Sequence, residues 1–182
     1  RMLYITVPET ELFDEQSSRF INVKRTKLQL EHSLVSLSKW EAKWQKVFLD
    51  RKIDKSHDEI IDYIRCMTLT QNVDPNVYKC LTTQNIEEIE KYIEEPMTAT
   101  WFSKEKTSQP NSKPITNELI YYWMFTLNIH MDCQKWHLNR LLTLIRVCNE
   151  ESNPSKKRSP KEVAADYARL NAERRKQWNT KG

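Results

Sequence analysis

Glycine is almost missing. One stands among 182 residues, at position 182, where average usage would place roughly a dozen. Loops that cradle phosphate need glycine, because only a residue without a side chain lets the main chain approach closely or take positive φ. Walker-type and dinucleotide-binding loops are therefore excluded across 1–181. Long apolar runs are missing too. No window approaches the 18 or so uninterrupted apolar residues of a membrane span, so no membrane partner is expected. The stretch 1–16, "RMLYITVPETELFDEQ", lacks a basic segment followed by an apolar block and a small-residue cleavage site, so no signal peptide is expected. Cysteine is sparse, with Cys66, Cys80, Cys133 and Cys148 read as reduced, buried thiols rather than two bridges.

What is present describes a soluble chain with one core: 38% hydrophobic and 30% charged residues over a length that suits one domain with an appendage. The net charge of +4 is uneven. From Pro154 to Gly182 nine basic residues face three acidic ones, a local +6, which leaves −2 on the rest. A near-neutral body carries a basic tail.

The pattern predicts a mainly helical α+β fold. Residues 1–33 read as a small antiparallel β element, with strands at 2–7 and about 21–33 and a loop at 13–20. It is too small to be stable alone and must lie on helices. From Ser33 the period changes, and Leu34, Leu37, Trp40, Trp44, Val47 and Phe48 recur at three and four. Ser56, with Glu59 three residues on, starts a second helix by the capping-box rule. "NVDPNVYKCL" reads as a turn and a short helix, and "TTQNIEEIEKYIEEPM" as an amphipathic helix stopped before Pro96. "TSQPNSKP" at 107–114 is the clearest loop. Thr116 caps "NELIYYWMFTLNI", apolar nearly all round and so expected at the centre of the core. Asp132 is expected to cap one helix, "CQKWHLNRLLTLIRVCN". This gives a compact body of five or six helices at 1–150, a linker at 151–159 and a basic C-terminal helix at 160–182, begun by Ser159, Pro160 and Glu162.

Few residues offer chemistry. His130, Cys133 and His137 stand at helical offsets, with Cys148 as a distant fourth ligand, but no CxxC or HxxxH pair occurs and Cys148 lies about 16 Å along the helix. No metal or other cofactor is expected. The acids of "IEEIEKYIEE" and "DEIIDY" read as solvated polar faces. Cys133 with His137 lacks an orienting acid and an oxyanion hole. No enzymatic activity is expected.

Trp101 and Trp178 fall outside the core-like spacing of the other tryptophans. In the tail, Val163, Tyr167, Leu170, Arg174 and Trp178 advance by four, three, four and four, a narrow stripe down one helix face. That stripe points to a protein groove. Nucleic acid is the alternative partner, met by Lys156, Lys157, Arg158, Arg174, Arg175 and Lys176, but Asp166 and Glu173 interrupt the basic run and favour protein.

Five blocks, "LQLEHSLVSLSKWEAKW", "DYIRCMTLTQNV", "PMTATWF", "QKWHLNRLLTLIRVCN" and "LNAERRKQWNTKG", together resemble tailed-bacteriophage morphogenesis proteins of the tail assembly chaperone type. The resemblance implies a non-enzymatic helical protein of the host cytoplasm. Such a protein would coat the long helical tape-measure protein and help recruit tail-tube protein, and self-association stays open. A connector or tail-completion subunit of the virion, or a packaging protein that binds nucleic acid, are the alternatives.

Overall fold

A computed structural model describes residues 2–15, 18–102, 113–152, 164–165 and 167–173. Strands β1 (Leu3–Val7), β2 (Thr10–Asp14), β3 (Arg19–Val23) and β4 (Thr26–Leu30) form two antiparallel pairs, β1 with β4 and β2 with β3. Their register is continuous, from Leu3 facing Leu30 to Asp14 facing Arg19. The four strands are thus one long hairpin, interrupted at Pro8–Glu9 and Lys24–Arg25. Pro8 cannot donate to a ladder, and the inward face changes parity across it. Ile5, Val7, Leu28 and Leu30 are buried before the break, while Val23 is buried beyond it with Leu12 and Ile21 packed beside the core.

The loop expected at 13–20 is shorter. Phe13 and Phe20 belong to β2 and β3 and face one another, their rings edge to face at 5.2 Å. Such a cross-strand aromatic pair holds the ladder together nearly to its tip. The turn is made with Ser18 at φ 52°, in the left-handed region that glycine usually supplies.

Between residues 34 and 151 five α-helices follow among the described residues, each with a side chain at its N-cap. Ser33 caps α1 (Leu34–Trp44), Ser56 with Glu59 caps α2 (His57–Met67), Thr82 caps α3 (Thr83–Glu94) and Thr116 caps α4 (Asn117–Thr126). A 3-10 turn at Pro75–Cys80 joins α2 to α3. Helix α1 stops at Trp44, short of the predicted Phe48, because Gln45 turns left-handed at φ 52° and donates to the Glu41 carbonyl at 2.8 Å. Phe48 instead folds back to stack on Tyr63, ring centres 3.7 Å apart. Glycine takes this conformation without strain, so Gln45→Gly is expected to raise stability by about 1 kcal/mol. A urea midpoint that fails to rise, at unchanged m-value, would refute this.

The helix predicted from Asp132 is two pieces. A 3-10 turn at Met131–Lys135 is capped by His130, and α5 (Leu138–Glu151) begins only after His137. Between them Trp136 and His137 are extended, because the chain pairs with a distant segment. Ser33 and His137 form a β-bridge, and Leu138 donates to the His32 carbonyl at 2.9 Å. Helix α5 reaches Glu151, one residue into the expected linker.

Two apolar clusters meet at this seam. The first joins the hairpin to Trp40, Tyr63, Ile64, Met67, Val77, Tyr78 and Ile89. The second joins Leu34 and Leu37 to Ile120, Met124, Leu138, Leu141 and Ile145. Helix α1 contributes to both, so its sides are what hold the halves in register. The arrangement is the mainly helical α+β fold read from the pattern.

Candidate protein-binding surface

Helix α4 departs from its expected place at the centre. One side, Asn117, Ile120 and Met124, is buried against the second cluster. The other presents Tyr122, 60% exposed, and Phe125, 64% exposed, three residues apart and so on one face. Ile115, just before the helix, is exposed as well. The orientation is set at the N-terminus, where the buried Glu41 carboxylate accepts from Asn117 N–H at 2.8 Å and from its Nδ2 at 2.7 Å. The other Glu41 oxygen accepts from Phe48 N–H at 3.0 Å. Tyr121 fixes the roll of the helix by donating to Gln134 Oε1 at 2.9 Å. With those faces held, an apolar composition nearly all round leaves Tyr122 and Phe125 turned outward. Composition alone gave no sign of which side this would be.

Further aromatics are exposed elsewhere: Phe13 and Phe20 near the hairpin tip, Trp101, and Tyr167. Residues 164, 165 and 167–173 are helical. Tyr167 is 65% exposed and Leu170 partly buried, three residues apart as the predicted stripe requires. The rest of that stripe, Val163, Arg174 and Trp178, lies outside the described residues. So do Lys156, Lys157, Arg158, Arg175 and Lys176 of the nucleic-acid alternative.

The metal candidates are separated. His130 is exposed beside Asp132, Cys133 is buried in the second cluster, and His137 is buried with Nε2 2.9 Å from the Tyr92 carbonyl oxygen. Helical spacing no longer applies, since the segment is a 3-10 turn and an extended dipeptide. No group of three or more metal-ligating side chains converges among the described residues. All four cysteines are free thiols, and burial pushes the Cys133 thiol up from its ordinary value.

The acids of α2 are a correction. Glu59 and Asp62 were expected in solvent and are buried. Lys46 bonds Glu59 Oε1, and Ser56 N–H donates to Oε2 at 2.7 Å. Lys43 donates to Asp62 Oδ1 at 2.6 Å and Trp44 Nε1 to Oδ2 at 2.9 Å. The Lys46 bond chiefly, with those from Ser56, holds the Glu59 carboxyl below its usual range. For Asp62, burial pushes the carboxyl up, and the bonds from Lys43 and Trp44 outweigh it. Every oxygen of the pair is engaged, which ties α1 to α2 and leaves neither carboxylate facing a cleft. On α3, by contrast, Glu87, Glu90 and Glu94 are exposed as expected.

No helix among the described residues is long and apolar enough to cross a membrane. Comparison with protein families, with characterised proteins and with solved structures finds no match for this chain, so a functional reading rests on its own residues.

Proposed function

We propose that the chain is a non-enzymatic, protein-binding assembly factor, a tail assembly chaperone or adaptor of the kind its sequence resembles. In this reading it covers apolar faces of the helical tape-measure protein and brings tail-tube subunits to it in the host cytoplasm. The supporting observation is the α4 face, where Tyr122 and Phe125 stand exposed one turn apart. Large aromatics held at a surface by a rigid helix are the residues that most often dominate a protein contact. Tyr167 and Leu170 supply a second aromatic–aliphatic pair at helical spacing, suited to lying along another helix.

Co-expression with the tape-measure protein tests the proposal. The wild-type chain is expected to keep that protein soluble and to remain bound as salt rises from about 50 to about 200 mM. Tyr122→Ala with Phe125→Ala is expected to weaken binding by about thirtyfold to several-hundredfold, at roughly 1–2 kcal/mol for each of the two lost anchors. If binding were instead to nucleic acid through about six phosphates, affinity would fall roughly a thousandfold over the same salt range. That outcome, or an unaffected double variant, refutes the reading.

A further inference from the structure

A second surface, independent of the aromatic face of α4, lies between β1 and α3. Within the hairpin, Gln29 faces Tyr4. Gln29 directs its N–H to Thr70 Oγ1 at 2.9 Å and accepts from Leu69 N–H at 2.8 Å, both away from β1. In an antiparallel ladder such a pair exchanges no main-chain bonds. Tyr4 therefore turns its own N–H and C=O to the opposite edge of β1. The next position of this type is Thr6, whose carbonyl accepts from Asn85 Nδ2 of α3 at 3.3 Å. At Tyr4 no described residue provides a partner, and the Tyr4 side chain is 69% exposed. The outer edge of β4 is covered by 67–70, through a bridge between Leu30 and Thr68, whereas β1 is left open.

The open edge is not flat against α3. A groove of about 620 Å³ runs between Tyr4–Thr6 and the first turns of α3. A smaller one of about 150 Å³ continues beside Met2 and Leu3. The α3 wall is made by Gln84, Glu88, Lys91 and Glu95, spaced so that they share one helix face. On this wall Glu88 and Glu95 stand against Lys91, and Glu9 adds a further carboxylate; Gln84 Nε2 donates to Glu88 Oε1 at 3.1 Å. Arg25 stands at one end as the opposing charge.

We propose that this groove takes an extended peptide segment, which adds as a strand to β1 and directs basic side chains toward α3. Unpaired main-chain groups on a strand edge are a template on which another strand can pair. Glu88 and Glu95, with Glu9, favour lysine or arginine at the alternate positions that point toward them. The Asn85 bond to Thr6 ends the open stretch, so recognition centres on Tyr4 and the residues before it.

The probe is a fluorescein-labelled, N-acetylated octapeptide of alternating lysine and valine, titrated into the full chain at low salt. Binding with Kd of about 10–100 µM is expected, in the range of a few main-chain and charge contacts. The same peptide N-methylated on alternate amides keeps its charge but loses main-chain donors, and is expected to bind at least about tenfold more weakly. A glutamate–valine counterpart and the Glu88→Lys variant are each expected to lose binding to a similar degree. Hydrogen exchange at the Tyr4 amide is expected to slow in the complex. Equal binding of the N-methylated peptide would mean charge attraction without strand addition and would overturn the proposal. So would an unprotected Tyr4 amide, or no binding below about 1 mM.

Discussion

Trp40→Ala is expected to unfold much of the population at 37 °C. The Trp40 side chain is fully buried and lies where the first apolar cluster is held to α1. Its ring meets Phe48 edge to face at 5.0 Å and Tyr63 at 6.4 Å. Its Nε1 donates to the Glu59 carbonyl at 2.7 Å, in the same turn of α2 whose carboxylates bind Lys43 and Lys46. Truncation removes the packing, which costs roughly 3–5 kcal/mol for a buried Trp, and strands the carbonyl, which costs about 1–3 kcal/mol more if no water reaches it. A domain of this size has about 5–15 kcal/mol in all. Trp40→Phe keeps most of the ring and loses the hydrogen bond, so a smaller loss of about 1–3 kcal/mol is expected. Urea unfolding followed by circular dichroism measures both. A loss below about 2 kcal/mol for the alanine variant would mean that the cluster repacks and that Trp40 does not anchor α1 to α2.

Most helices were legible because their signals are local. Ser33, Ser56, Thr82 and Thr116 each sit before an apolar pattern of period 3.6, and each accepts from the backbone N–H three residues on. What was not legible depends on contacts distant in sequence. The break at Trp136–His137 arises because residues 32 and 33 pair with it from about a hundred positions away, and no pattern inside 130–149 reports that. The strand residues Phe13 and Phe20 stood in a stretch whose polar neighbours resemble a loop, and only their pairing makes them a ladder. The burial of Glu59 and Asp62 depends on lysines of another helix. The exposed side of α4 was hidden by its composition, since ten residues apolar on nearly every side do not say which side faces inward. The predicted tail stripe was legible as spacing, and of its members Tyr167 and Leu170 fall among the described residues.

The same missed seam makes folding acid-sensitive. His32 and His137 are both buried, with ring centres 5.1 Å apart. His32 Nδ1 lies 2.7 Å from the Tyr63 hydroxyl, and the Tyr92 hydroxyl accepts from the His32 N–H at 3.4 Å. Burial, reinforced by His137, lowers the His32 pKa from 6.5 to about 3. Burial also lowers that of His137, opposed by its bond to the Tyr92 carbonyl and by Glu95. Between the folded and unfolded values the unfolded chain holds more protons, so stability rises with pH through that window. It is complete above about 6.5 and is lost as pH falls toward 3.

His32 alone corresponds to about 3 kcal/mol lost by pH 4.5 and about 5 kcal/mol in full, with a slope near 1.4 kcal/mol per pH unit. Glu59 and Asp62, held below their ordinary values, keep their own contribution until the pH drops further. The expected result is a urea midpoint that falls steadily from about pH 6.5 to 4.5, before carboxylate protonation dominates. His32→Asn is expected to reduce that slope, leaving the share of His137, even if it lowers stability at pH 7, because the slope counts protons and not packing. A wild-type midpoint flat across that range, or His32 and His137 ring resonances of the folded chain titrating near 6.5, would show that the seam admits water and that the two clusters are joined less tightly than Ser33, His137 and Leu138 imply.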